Sequence, residues 1–336
     1  MSEILLSQLA HVELCSPKPD ETVRWMVDVL GLEETTRQGQ SVYLRGWAEW
    51  LHSSLIVTEA AEPAVGHIAW RTYGPDDPDT IAERLQGSGN EIGWVEASVG
   101  HGRAFRYHAP VGRHVHEVFW ETEMYNAPPE KVEPSFQNRP QRFSARGAAA
   151  KYLDHVTLAT PSIHDDIAFY RTLGHRHTAQ IDAEPGFTVF STVTCNGIRS
   201  THDLGLVPDF SASGRANHIA FNVDQRWDVE RAAEVFMAHG TAIEFGPGIH
   251  GCDEITYLYV REPGGFRIEV NAGGWENAMP DWRASTWNTT QGGTTLWKNL
   301  AMPESMMESW PAAPGTATEE GTAGFQSTKL FAQTER

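Results

Sequence analysis

Across 336 residues, 44 acidic side chains outnumber 26 basic ones, leaving a formal net charge of −18. A chain this acidic is repelled by phosphate backbones and anionic bilayers, which argues against nucleic acid and membrane as partners, and no apolar run is long enough to span a bilayer. The length accommodates two domains, each able to bury a core. The three scattered cysteines (Cys15, Cys195 and Cys252) contain no CxxC, so they form neither a disulfide framework nor a zinc knuckle.

An alternating strand is predicted near residues 9–16, with a His at position 11, then a Pro-containing turn and an amphipathic helix that stops at Gly31. Gly66-His67-Ile68-Ala69-Trp70 is a second such strand, followed by a polar turn and a helix near 78–87. A closing strand follows the turn Pro110-Val111-Gly112-Arg113. The pattern then repeats. Residues 153–174 read as strand, turn and helix ending at Gly174, Asn217-His218-Ile219-Ala220-Phe221 matches the strand at 66–70, and a helix is expected near 226–239. Pro263-Gly264-Gly265-Phe266 then leads into a last strand. The period is too long for a solenoid and reads as a duplicated α+β domain, each copy a pair of βαβββ modules.

The expected boundaries are a non-catalytic N-terminal domain over 1–120, a Pro-rich linker over 121–151, a metal-binding domain over 152–275, and a C-terminal extension over 276–336. Within the extension, Trp282, Trp287 and Trp297 suggest a lid with an aromatic underside, and the final stretch reads as a tail. The N-terminus lacks the basic and apolar regions of a signal peptide, so a cytoplasmic location is expected.

His155, His218 and Glu269 each sit in a period-2 strand, on the face opposite their apolar neighbours. Two imidazoles and one carboxylate converging on one face of a metal, with open positions opposite, is the ligand pattern of non-haem Fe(II) oxygenases. Mn(II) accepts the same donor set. The first half keeps His11, His67 and either His116 or Glu117 at the equivalent places. These residues read as hydrogen-bonded strand residues supporting the duplicated fold, with a second metal site as the alternative, and His101, His108, His175 and His177 read as solvated or structural.

The stretch Gly248 to Glu269, GIHGCDEITYLYVREPGGFRIE, resembles the signature of the type I extradiol ring-cleavage dioxygenases of the vicinal oxygen chelate superfamily, among them catechol and homoprotocatechuate 2,3-dioxygenases. The resemblance extends to the paired-domain organisation, up to about residue 275. It implies extradiol cleavage of a catechol by O2 to a muconic semialdehyde, and a homotetramer. It also implies His202 as the acid/base, Tyr259 as a hydrogen bond to the substrate oxygen, and His250 as the group positioning both. Tyr257, on the same strand face, competes with Tyr259 for its role. Homoprotocatechuate enzymes carry an arginine five residues before the equivalent of His250; here that position is Phe245. An apolar residue there suits an uncharged ring, plain or alkyl-substituted, unless Arg215 or Arg283 reaches the pocket. Competing functions are hydroquinone cleavage, an O2-independent lyase reaction on the same fold, and a non-catalytic aromatic-binding protein.

Overall fold

Side chains along the strands alternate between a packed face and a polar one, and this alternation builds two large sheets in the computed structural model, which describes residues 3–132, 146–195, 201–276, 279 and 281–311. The first half runs β1 (Leu6–Ser16), α1 (Pro19–Trp25, continued by a π-helical turn Met26–Leu30), β2 (Glu33–Gln38), β3 (Ser41–Arg45) and β4 (Leu55–Glu59). Its second module is β5 (Ala64–Thr72), α2 (Asp77–Leu85), β6 (Glu91–Val95), β7 (Ala104–His108) and β8 (Val115–Phe119). A short α3 (Pro129–Val132) follows, and residues 133–145 of the expected linker lie outside the described residues.

The second half repeats the order: β9 (Tyr152–Thr160), α4 (Ile163–Thr172), β10 (Arg176–Glu184), β11 (Phe187–Thr194) and β12 (Leu204–Pro208), then β13 (Ala216–Asn222), α5 (Arg226–Ala238), β14 (Ile243–Ile249), β15 (Ile255–Arg261) and β16 (Arg267–Gly273). One strand goes beyond the repeat: β17 (Ser285–Asn288) pairs in parallel with β10. The expected tail from 312 onward lies outside the described residues.

The first sheet has the order β2-β3-β4-β1-β5-β8-β7-β6, and the second shows the same arrangement with β17 added at the β10 edge. In each half the modules meet through an antiparallel central pair, β1 with β5 and β9 with β13, flanked by parallel neighbours. Helices end where the sequence places them. Gly31 adopts φ 94° and Gly174 φ 98°, left-handed conformations that only glycine takes without strain. Residues from both halves, Leu5 and Trp70 through to Phe236 and Trp310, belong to one continuous apolar core.

Contacts between the halves are reciprocal. From α1, Trp25 stacks on Phe236 at 5.7 Å and donates to Thr241 Oγ1 at 2.9 Å, while Thr22 donates to buried Glu262 at 2.9 Å. From α4, Tyr170 meets His116 Nε2 at 3.0 Å, and Phe169 packs edge-on to Tyr107. The C-terminal extension is tied down by Arg267, fully buried beside Glu244, which donates to the carbonyls of Asn217, Ser305 and Glu308.

Candidate metal centre and its cavity

All eight strands of the second repeat, β9 to β16, contribute to the lining of a single cavity, so the sheet curls around it. Period-2 alternation aims His155 from β9, His218 from β13 and Glu269 from β16 into this space. Register brings them level, because Ala220 pairs with His155 on one side and with Glu269 on the other. One ligand atom from each residue lies within 4.8 Å of the others. His155 Nε2 is 3.1 Å from His218 Nε2, and Glu269 Oε2 lies 3.3 Å and 3.1 Å from these two nitrogens.

The surroundings fix the imidazole tautomers. His155 Nδ1 donates to Asp154 Oδ2 at 2.8 Å, and His218 Nδ1 to Asn217 Oδ1 at 2.8 Å, which turns both Nε2 atoms inward. Asp154 is held in turn by Asn271 at 2.9 Å, and the Asn217 amide donates to the Met306 carbonyl at 2.9 Å. Asp154 and Asn217 are neighbours of the candidate site that pattern reasoning passed over. The available signal is that each immediately precedes one of its histidines.

Electrostatically the three groups demand a positive charge. Glu269 is 1 % exposed and neither of its oxygens has a hydrogen-bond partner. Burial alone would protonate it, but His155 and His218 hold it well below the usual carboxylate range. Burial likewise opposes a charge on His155, yet Glu269 and Asp154 push its pKa up to about 10, while burial takes His218 down to about 4. In effect a proton on His155 stands where a cation belongs. A divalent ion with open coordination positions would take the place of that proton between two inward imidazole nitrogens and a buried carboxylate.

His202, His250 and Tyr259 line the same cavity. The His202 ring lies 4.2 Å from that of His155, with Nδ1 2.8 Å from Thr201 Oγ1. Burial first, and the neighbouring His155 second, lower the His202 pKa well below its ordinary value. His250 Nδ1 donates to the Thr294 carbonyl at 2.6 Å, so its Nε2, 3.0 Å from the Tyr259 hydroxyl, is an acceptor. Tyr257 is placed differently. Its ring lies under His250 at 4.0 Å and packs on Phe245, outside the cavity lining.

The rest of the lining is largely apolar, including Ile181, Val189, Phe190 and Phe245, with Thr157, Asp253 and Thr294 as further polar side chains, and among the described residues it contains neither lysine nor arginine. Arg215 does not reach the cavity; it is bound to Asp209 at 2.6 Å and to the carbonyls of Ser309 and Pro311. Arg283 is likewise absent from the lining. Above the site, the C-terminal extension contributes Gly293, Thr294, Met302, Met306 and Met307. The aromatic underside expected from Trp282, Trp287 and Trp297 is therefore replaced by methionine. Trp287 packs instead against Ile181 and Cys252 outside the lining, and Trp297 is 57 % exposed.

Comparison with known proteins is consistent across sequence and structure. Residues 152–270 match the model of the Glyoxalase/Bleomycin resistance protein/Dioxygenase superfamily. The chain is 33 % identical over 305 residues to a metapyrocatechase of Geobacillus stearothermophilus, covering 89 % of this chain and 92 % of that one. It is also 33 % identical over 288 residues to a manganese-dependent 2,3-dihydroxybiphenyl 1,2-dioxygenase of Geobacillus genomosp. 3, covering 84 % and 90 %. In structure it is similar to homoprotocatechuate 2,3-dioxygenase from Brevibacterium fuscum in complex with 3,4-dihydroxyphenylacetate, with a TM-score of 0.79, 26 % identity, and coverage of 90 % and 92 %.

Proposed function

The chain belongs to the type I extradiol ring-cleavage dioxygenases, and from that membership we propose that it opens catechol or an alkyl-substituted catechol with O2, at a mononuclear Fe(II), to a 2-hydroxymuconic semialdehyde. The observation that carries the substrate assignment is the cavity wall, which among the described residues has Phe190 and Phe245 and the buried carboxylate of Asp253 but no cationic side chain. A ring bearing a carboxylate would be stranded there at a cost of several kcal/mol.

In this reading His155, His218 and Glu269 hold the metal. Once bound, the ion supplies Lewis acidity toward the catechol hydroxyls and an electron path to O2. The residues around it handle protons and position. His250 accepts the Tyr259 proton at Nε2, which turns the lone pairs of the Tyr259 oxygen toward a substrate hydroxyl. His202, held neutral by burial, takes a proton from the catechol and returns it as the ring opens. Phe245, Phe190 and the methionines of the extension exclude water from the reacting ring.

The test uses the full chain reconstituted anaerobically with Fe(II) or, separately, with Mn(II), under an oxygen electrode and an absorbance probe. Catechol is expected to give oxygen uptake matched one-to-one by a yellow product, and hydroquinone is expected to give none. Bound metal without uptake, or uptake with hydroquinone alone, overturns the reading.

The cavity wall also predicts a specificity change. Phe245→Arg would place a cation against the ring, and kcat/KM for 3,4-dihydroxyphenylacetate relative to catechol is expected to rise at least about 10-fold. An unchanged ratio in steady-state assays would show that this position does not face the ring substituent.

A further inference from the structure

The first half carries a second set of converging ligands. Register places it where the repeat demands: Ala69 pairs with His11 on β1 and with Glu117 on β8, as Ala220 does with His155 and Glu269. Of the two acidic-end alternatives left by the sequence, the position belongs to Glu117. His116 points the other way, accepting from Trp70 Nε1 at 2.9 Å and meeting Tyr170 across the interface between the halves. We propose that His11, His67 and Glu117, closed by His101, bind a second divalent transition-metal ion, Zn(II), which serves the fold and takes no part in ring cleavage.

The distances match a ligand set. His11 Nε2 and His67 Nε2 are 2.8 Å apart, and Glu117 Oε1 lies 3.7 Å and 3.6 Å from them. His101, which read as an unpartnered histidine in the sequence, brings its Nε2 to 3.2 Å from the same oxygen. It enters from the β6–β7 connection, the counterpart of the segment that carries His250 between β14 and β15. Glu117 is wholly buried. Arg106 Nε engages its Oε2 at 2.7 Å, while Oε1, facing the imidazoles, has no hydrogen-bond partner.

The outer partners are specific to this half. Glu13 accepts from His67 Nδ1 at 2.8 Å, and the Gly102 carbonyl from His101 Nδ1 at 2.8 Å, so both rings turn a lone pair toward Glu117. Gly66 makes the first of these possible, because any Cβ at that position would collide with the Glu13 carboxylate. Two imidazoles and one carboxylate converge on one point, and His101, with its Nε2 against the same carboxylate oxygen, would close them into a four-coordinate set of the kind zinc takes in structural sites. Phe119 packs against the set, stacked on His101 at 4.6 Å and on His11 at 5.9 Å.

The experiment loads the full-length protein with Zn(II), strips loose metal by gel filtration, and counts zinc by mass spectrometry. Wild type should retain two ions per chain, Glu269→Gln one, and Glu269→Gln/His67→Ala none. Because the double variant could fail to fold, Glu269→Gln is also loaded with Co(II), which leaves the first half untouched. Intense visible bands of four-coordinate Co(II) are expected. His67→Ala alone should keep ring cleavage after Fe(II) loading while its unfolding temperature no longer responds to added Zn(II). A Glu269→Gln protein that retains no stoichiometric zinc, or whose Co(II) spectrum is that of a six-coordinate ion, overturns the proposal.

Discussion

Glu269→Gln is expected to abolish ring cleavage, with iron affinity at the second-half site falling by more than about 100-fold. That bound follows because losing even an outer partner of a metal ligand typically costs 10–100-fold, and Glu269 is in the ligand set itself. The change keeps the side chain's shape but removes the charge that holds His155 protonated when metal is absent. With a neutral amide in place, no carboxylate remains among the three converging groups to compensate a dication. Oxygen uptake with catechol at rising Fe(II), together with iron retained after gel filtration, measures the effect. A variant that keeps a tenth of wild-type turnover at saturating iron would remove Glu269 from the ligand set.

The second large effect is expected at His202. His202→Asn should lower kcat by about 10²- to 10⁴-fold, the range over which a positioned acid/base acts. Iron content and catechol affinity should change little, since His202 packs its ring against that of His155 but is not one of the three converging groups. Single-turnover rates against bound-substrate titrations separate the two. A variant with reduced affinity and an unchanged rate of the chemical step would make His202 a packing residue. His202→Phe, which preserves ring volume, distinguishes a lost proton carrier from a collapsed pocket wall.

The doubled βαβββ pattern was legible because each strand of the repeat announces itself locally: a His in a period-2 run, a Pro-x-Gly turn, a helix closed by glycine. The converging triad of the second half follows from the same periodicity, since alternation fixes the face and register fixes the level. Tyr257 and Tyr259 could not be separated that way, because two residues apart on a strand means the same face. Only the position of His250, stacked on one ring and within hydrogen-bonding distance of the other hydroxyl, tells them apart. The choice between His116 and Glu117 was closed to pattern reasoning for the converse reason. Adjacent strand residues face opposite ways, and which way depends on register with β5. The C-terminal extension was opaque because its order comes from tertiary anchors. Arg267 gathers its carbonyls, Trp310 pairs with Ala216, and β17 borrows the edge of β10.

The crossed packing of α1 and α4 has a consequence for what counts as the protein's minimal unit. Trp25 and Thr22 complete the second copy, and Tyr170 and Phe169 complete the first, so each copy supplies part of the other's interior. A chain severed at the linker would leave two fragments, each with a bare aromatic wall, and Glu262 and His116 would each lose a partner from the other half. Neither copy is then free to be lost after the duplication, whichever one performs the chemistry.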